Sequence, residues 1–296
     1  MNKISILLTG LCLVSPVAVP APVFRAPALP AGERVSFASL DGDLSGGAAT
    51  RIDALVFRPA GPGPFPAVVA LHGASGLVGK AGPFSNYLAW GNRLREEGFL
   101  AIFPDSFNPR GLKGGIATLR QDPVPPGRER VRDVYGALRY LQARSDVRPD
   151  RIGLLGWSHG GSTVLASVDA GQPFRPPAPE RNFRVAVAFY PGSWRQLRQP
   201  SWRPAMPLTI LVGASDDWTP AEGCVTLGQR ARAAGAAMEV VTYPGAYHGF
   251  DAPGEPVHVR LAVHSKTGRA TVGTNPEARQ EALARCFKLF HQALDF

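Results

Sequence analysis

Apolar residues recur along this chain in short runs, set apart by polar stretches rich in Gly and Pro and by segments whose apolar positions have helical spacing. Eight of the runs read as strands: 34–40, 52–58, 67–71, 100–103, 152–156, 184–190, 208–212 and 239–243. The first two read as an antiparallel hairpin, and the later ones, near-continuous in apolar residues, as buried parallel strands. Val131, Val134, Tyr135, Leu138 and Leu141 form a helical stripe before the fifth run, and Leu283, Cys286, Phe287 and Phe290 form another near the C-terminus. Both stripes are core positions, so no cofactor site is read into Tyr135 or Phe287. Alternation of strands and helices over this length predicts an α/β fold, with about eight mostly parallel strands and helices on both faces.

The run at 152–156 carries the chemistry. It leads straight into Gly156-Trp157-Ser158-His159-Gly160 and then into a helix-compatible Ser-Thr-Val-Leu-Ala stretch. A strand, Gly-x-Ser-x-Gly and a helix together make a nucleophile elbow, a tight turn that holds the serine in a strained conformation with its hydroxyl exposed. Such a serine needs an acid and then a histidine later in the chain, each on a loop after a strand. The strand at 208–212 runs into Gly213-Ala-Ser-Asp216-Asp217-Trp218-Thr-Pro220, and the strand at 239–243 into Pro244-Gly-Ala-Tyr-His248-Gly-Phe250. Ser158 is therefore the expected nucleophile, His248 the base and an aspartate of the first loop the acid. The oxyanion calls for backbone N–H donors, expected from His159, the residue after the nucleophile, and from Ala74 in the loop after the third strand.

Leu71-His72-Gly-Ala-Ser-Gly76, Asp105-Ser-Phe-Asn-Pro-Arg110, Gly156-Trp-Ser-His-Gly-Gly161, Phe189-Tyr-Pro-Gly192 and the two loops just quoted together resemble the dienelactone hydrolase family of α/β-hydrolases. The resemblance runs from about Val35 to the C-terminus and implies the α/β-hydrolase fold. It also implies Asp216 as the acid, in the family's Gly-x-x-Asp-x-x-x-Pro position, leaving Asp217 to point elsewhere and fix the loop. One departure stands out: the enzymes that gave the family its name carry cysteine at the nucleophile and a glutamate in the early loop, where this chain has Ser158 and Gly73. The expected activity is hydrolysis of carboxylic esters or lactones through an acyl-enzyme on Ser158, with no cofactor or metal. Peptidase or carbon–carbon hydrolase activity, and a non-catalytic envelope binding module, are the alternatives on the same fold.

Pocket walls are expected from residues flanking these motifs: Phe107, Trp157, Tyr190 and Trp218, with Arg110 facing a substrate carboxylate and His72 shaping the early loop at the substrate site. Composition refines the picture. The chain has 296 residues, 45% of them apolar, without repeats, and its Pro/Gly-rich stretches are too short to be interdomain linkers, so residues 22–296 read as one domain. Residues 1–21 read as a signal peptide: Lys3, an apolar stretch, then small residues ending in Ala21. Export to the periplasm or medium follows, with no stable membrane insertion after cleavage. Cys224 and Cys286 then remain, and an oxidising compartment would permit a bridge between them. The net charge of +9 is spread over scattered arginines (Arg128, Arg130, Arg132, Arg139, Arg144, Arg148, Arg151) along a helix face and its exit loop. Without aromatic interleaving or a recognised module, they give no reason to expect a nucleic-acid partner. The expected partner is a small-molecule ester or lactone.

Overall fold

The computed structural model describes residues 32–175 and 182–294, together with Met1; the expected signal segment otherwise lies outside the described residues. In chain order the elements are β1 (Glu33–Ala38), β2 (Arg51–Phe57), β3 (Phe65–Leu71), α1 (Ser85–Glu96), β4 (Leu100–Pro104), α2 (Glu129–Gln142), β5 (Val147–Trp157) and α3 (His159–Ser167). There follow β6 (Ala186–Phe189), α4 (Trp194–Leu197), β7 (Leu208–Gly213), α5 (Ala221–Ala233), β8 (Met238–Tyr243), β9 (His258–Leu261), β10 (Arg269–Val272) and α6 (Pro276–Leu294). Eight strands form one sheet in the order β1-β2-β4-β3-β5-β6-β7-β8. β1 pairs antiparallel with β2, and β2 antiparallel with β4; the remaining neighbours are parallel.

Burial explains this arrangement. The central strands bury both faces, as in Val68, Val69, Ile102, Leu154 and Leu155, which is why they read as continuous apolar runs. Both helical stripes meet the sheet: Val131, Val134, Tyr135, Leu138 and Leu141 of α2 and Cys286, Phe287 and Phe290 of α6 are buried, with Leu283 packed beside them. Each large apolar side chain so covered contributes about 1.5–3 kcal/mol. Right-handed crossovers place α2, α3 and α5, which carry the chain forward through the sheet, on one face and α1, which carries it back, on the other. α6 lies with α1, where Phe287 packs on Trp90 at 5.9 Å between ring centres.

Three expectations need correction. β5 begins earlier than expected and runs through Trp157, while β6 is shorter than its apolar run. The hairpin β9–β10 was not anticipated, because its strands are short and mostly exposed. Cys224 and Cys286 are both buried free thiols and are not bridged. Cys224 lies on α5 and Cys286 on α6, on opposite faces of the sheet, whereas a disulfide requires Cα atoms within about 7 Å. Among the described residues no helix is long and apolar enough to cross a membrane.

Candidate active site

β5 delivers Ser158 to the carboxyl edge of the sheet, where α3 begins at once. Ser158 has φ 54° and ψ −115°, a left-handed conformation that costs a non-glycine residue about 1–3 kcal/mol. The turn is held by Ser158 N–H donating to Phe189 O at 2.9 Å and by two close approaches. A Cβ on Gly156 would stand 2.5 Å from Gly160 O, and one on Gly160 only 2.1 Å from Leu71 O. Glycine is required at these positions for the approach of backbone to backbone.

β7 and β8 end side by side, and the loops they feed bring the other two groups to Ser158. His248 Nε2 lies 2.9 Å from Ser158 Oγ, and His248 Nδ1 lies 2.8 Å from Asp216 Oδ2. Asp216 Oδ1 accepts from the N–H groups of Trp218 and Thr219 at 2.9 and 2.8 Å, and Thr219 Oγ1 stands 3.0 Å from Oδ2. Burial alone would raise the Asp216 carboxyl; the facing imidazole and these N–H donors outweigh it and hold its pKa below the usual range. With the carboxylate ionised, Nδ1 carries the proton and Nε2 is left to accept from the serine hydroxyl. Tyr190 and Trp218 flank the imidazole, at 4.5 and 4.8 Å between ring centres. Asp217 turns away, accepting from Thr271 N–H and Oγ1 at 2.8 and 2.9 Å, and so ties the acid loop to the β9–β10 hairpin.

Ala74 and His159 border the same space as Ser158. The backbone carrying them is joined by a group that sequence reasoning left among the scattered arginines. Arg130, 0% exposed, donates to His72 O at 2.9 Å and to His159 Nδ1 at 2.6 Å, its guanidinium lying 5.2 Å from the Phe107 ring centre. An arginine has only donors, so His159 Nδ1 accepts and Nε2–H is left to donate to Asp122 Oδ2 at 2.8 Å. Burial, the largest influence, keeps the His159 imidazole neutral by lowering its pKa. The signal for Arg130 was its register: it precedes Val134, Ala137 and Leu141 by 4, 7 and 11 positions on the buried face of α2.

The remaining expected site residues divide. Trp218 and Tyr190 do line the space around Ser158. Tyr190 also donates its hydroxyl to the buried Asp251 at 2.6 Å, an aspartate three positions after His248 that sequence reasoning passed over. His72 does not face substrate: it is fully buried, accepting from Ser106 N–H at Nε2 (3.1 Å) and donating from Nδ1 to Gly73 O (2.8 Å), and it braces the loop. Arg110 is consumed internally. Its two terminal nitrogens meet Asp133 at 2.8 and 2.9 Å, Asp41 at 2.7 Å and Ser106 O at 2.8 Å, and the residue lines neither cavity at Ser158. Trp157, 1% exposed, packs under the elbow against Trp90 and Tyr87 and, as expected, also borders the space around Ser158, whereas Phe107 is buried beneath His72 and His159.

Two cavities meet at Ser158. One, of about 640 Å³, lies on the α1 side and is lined by Tyr87, His248, Ala252, Arg260 and Val272; the other, of about 620 Å³, lies on the α3 side against Ile116, Ala117, Leu119, Trp194 and His264. They share Ala74, Ser158 and Trp218.

A sheet of this order, with a strained serine turn after its fifth strand and a histidine and an aspartate on the last two strand-end loops, defines an α/β-hydrolase. The model of the dienelactone hydrolase family matches residues 52–294. The chain belongs to that family and is a hydrolase of the carboxylic ester and lactone class. It is 27% identical over 219 residues, 67% of this chain and 78% of the relative, to a Bradyrhizobium protein named "Probable 2-oxo-3-(5-oxofuran-2-ylidene)propanoate lactonase". Among solved structures it resembles a Klebsiella pneumoniae protein bearing the dienelactone hydrolase name (TM-score 0.60, 21% identity, 88% of this chain and 100% of that chain). It also resembles esterase 2 of Thermogutta terrifontis (TM-score 0.60, 17% identity, 90% of this chain and 94% of that chain). At these identities the two structures speak for the fold alone.

Proposed function

We propose that this chain hydrolyses carboxylic esters or lactones with Ser158 as nucleophile, His248 as general base and acid, and Asp216 as the group that orients the imidazole. The observation carrying the reading is the unbroken line Ser158 Oγ, His248 Nε2, His248 Nδ1, Asp216 Oδ2, with successive contacts of 2.9 and 2.8 Å at the meeting point of two cavities. His248 takes the hydroxyl proton as Oγ bonds to the substrate carbonyl carbon, and the carbonyl electrons move to oxygen. The N–H groups of His159 and Ala74 receive that oxyanion, each such donor being worth about 10²–10³ in rate. Collapse expels the alkoxide, which takes the proton from His248 Nε2. Water then repeats the sequence on the acyl-enzyme and releases the acid.

The lactonase name of the Bradyrhizobium relative supports including lactones in the class. The test is hydrolysis of p-nitrophenyl acetate and butyrate by the unaltered chain and by Ser158→Ala. Turnover that falls by about 10³ or more in the variant is expected; equal turnover in both removes Ser158 from the mechanism, and activity confined to peptides replaces the esterase reading. Export is a second part of the proposal, resting on residues 1–21, with residues 22–296 as the working domain. N-terminal sequencing of protein recovered outside the cytoplasm should begin at Pro22; an intact Met1 there would remove the cleavage, and protein found only in the cytoplasm would remove the export.

A further inference from the structure

We infer, resting on Ser158 as nucleophile, that the substrate is an open-chain ester with two sizeable arms rather than a small-ring lactone, its alcohol arm in the α1-side cavity and its acyl arm in the α3-side cavity. The geometry that points there is the division of space around the nucleophile. The cavities of about 640 and 620 Å³ lie toward opposite faces of the sheet and have in common only Ala74, Ser158 and Trp218. A group bonded to Ser158 Oγ therefore meets room in two divergent directions. An unstrained ester adopts the Z conformation, in which the chains on carbonyl carbon and ester oxygen extend away from each other. A small lactone is held in the E conformation by its ring, so both chains turn to the same side and one cavity stays empty.

The chemistry assigns the arms. The leaving oxygen has to take its proton from His248 Nε2, and His248 lines only the α1-side cavity. His159, an oxyanion donor in the proposed mechanism, lines only the other. With the oxyanion toward His159 and Ala74 and the departing oxygen toward His248, the alcohol arm passes Tyr87, Ala252 and Val272, and the acyl arm passes Ile116, Ala117 and Leu119. The β9–β10 hairpin roofs both: Arg260 and Val272 face the first cavity, and His264 and Lys266, in the connecting turn, face the second. His264 N–H donates to Ala117 O at 2.9 Å, closing the roof onto the acyl side.

The test is a matrix of esters combining acetyl or hexanoyl groups with ethanol or 2-naphthol, measured on the unaltered chain and on variants that fill one cavity. Ala117→Phe, with the partly exposed Leu119→Trp (Leu119 is 39% exposed) as its better-tolerated counterpart, fills the acyl side. Ala252→Phe, with the exposed Ser85→Trp, fills the alcohol side. Comparing each variant with the unaltered chain cancels the intrinsic reactivity of each ester. The acyl-side variants are expected to lower the hexanoyl-to-acetyl ratio of kcat/KM by about tenfold or more with either alcohol, the scale of a few methylenes refused by a pocket. The alcohol-side variants should lower the naphthyl-to-ethyl ratio similarly with either acid. Phenyl butyrate should exceed dihydrocoumarin, a lactone with the same type of leaving group, by about tenfold once each is divided by its rate with hydroxide. Swapped effects, ratios blind to both sets, or a faster lactone overturn the inference while leaving Ser158-dependent turnover in place. Loss of any difference between the unaltered chain and Ser158→Ala overturns the triad reading along with it.

Discussion

Replacing Arg130 tests whether the oxyanion loops depend on a single buried cation. Its guanidinium bridges His72 O, two residues before Ala74, and the ring of His159, so it sets the spacing between the two backbone segments expected to bind the oxyanion. Arg130→Met keeps an unbranched apolar stem and removes both donors. His72 O and His159 Nδ1 are then left buried without a partner, each at a cost of about 1–3 kcal/mol. Loss of the charge offsets part of that, because burial holds the Arg130 pKa down to about 10, the mark of a cation kept out of water at some expense. The net loss is expected to be about 1–3 kcal/mol, or about 2–5 °C in Tm for a domain of this size. Catalysis should suffer separately. Complete loss of an oxyanion donor costs about 10²–10³, so a displaced one should lower kcat by about 10–100-fold with KM changed less than about threefold. Arg130→Lys, which offers a point charge in place of a fork, should fall between the two. The assays are kcat and KM on p-nitrophenyl butyrate alongside thermal melts, with the kcat profile from pH 6 to 9 keeping its shape because Arg130 does not titrate there. A variant with a lowered Tm but undiminished kcat would refute the positioning argument and leave Arg130 a brace for the fold.

The acid assignment predicts unequal neighbours: Asp216→Asn should cost about 10³–10⁴ in kcat by presenting the wrong tautomer of His248, whereas Asp217→Asn, which loses only contacts to the hairpin, should cost less than about fivefold, and the reverse order would move the acid. Cys224 and Cys286 should ignore a thiol reagent in the native protein, since burial pushes the Cys224 thiol up to about 12 and raises Cys286 as well; both should react after unfolding without reductant, and silence there would reveal a bridge. His72 and His159 are buried neutral, their pKa values lowered below 6.5 chiefly by loss of water, so below that pH the unfolded chain binds more protons than the folded one and stability falls. The slope reaches about 1.4 kcal/mol per pH unit for each histidine, so Tm should drop by several degrees between pH 6.5 and 5.5 while staying level from 7.5 to 6.5; a Tm unchanged down to pH 5.5 refutes the assignment of both as neutral.

What could be read in the chain before its structure was local, and what could not was a contact between distant segments. The core strands and the stripes of α2 and α6 announce themselves by periodicity, and the elbow by a motif whose glycines are demanded by backbone passing within van der Waals distance. Ser158, Asp216 and His248 were legible for a related reason: each stands just past the end of a parallel strand, and strand ends on one edge of a sheet converge whatever the loops contain. Arg110 shows the limit of that logic. It too follows a strand, β4, and a free guanidinium there would suit a substrate carboxylate, but Asp41 and Asp133 come from the β1–β2 connection and from α2, and nothing near Arg110 in sequence says that they will claim it first. Arg130 errs in the opposite direction, read among scattered charges although its place on the apolar face of α2 required burial and therefore partners. The two cases give one rule: a charged side chain that the fold buries is structural until its partners are known, and the partners of Arg130, His72 and His159, belong to the two segments proposed to receive the oxyanion. The cavity walls are the part least legible of all, because some of them come from the β9–β10 hairpin, whose short and mostly exposed strands carry little periodic signal yet whose residues line both cavities.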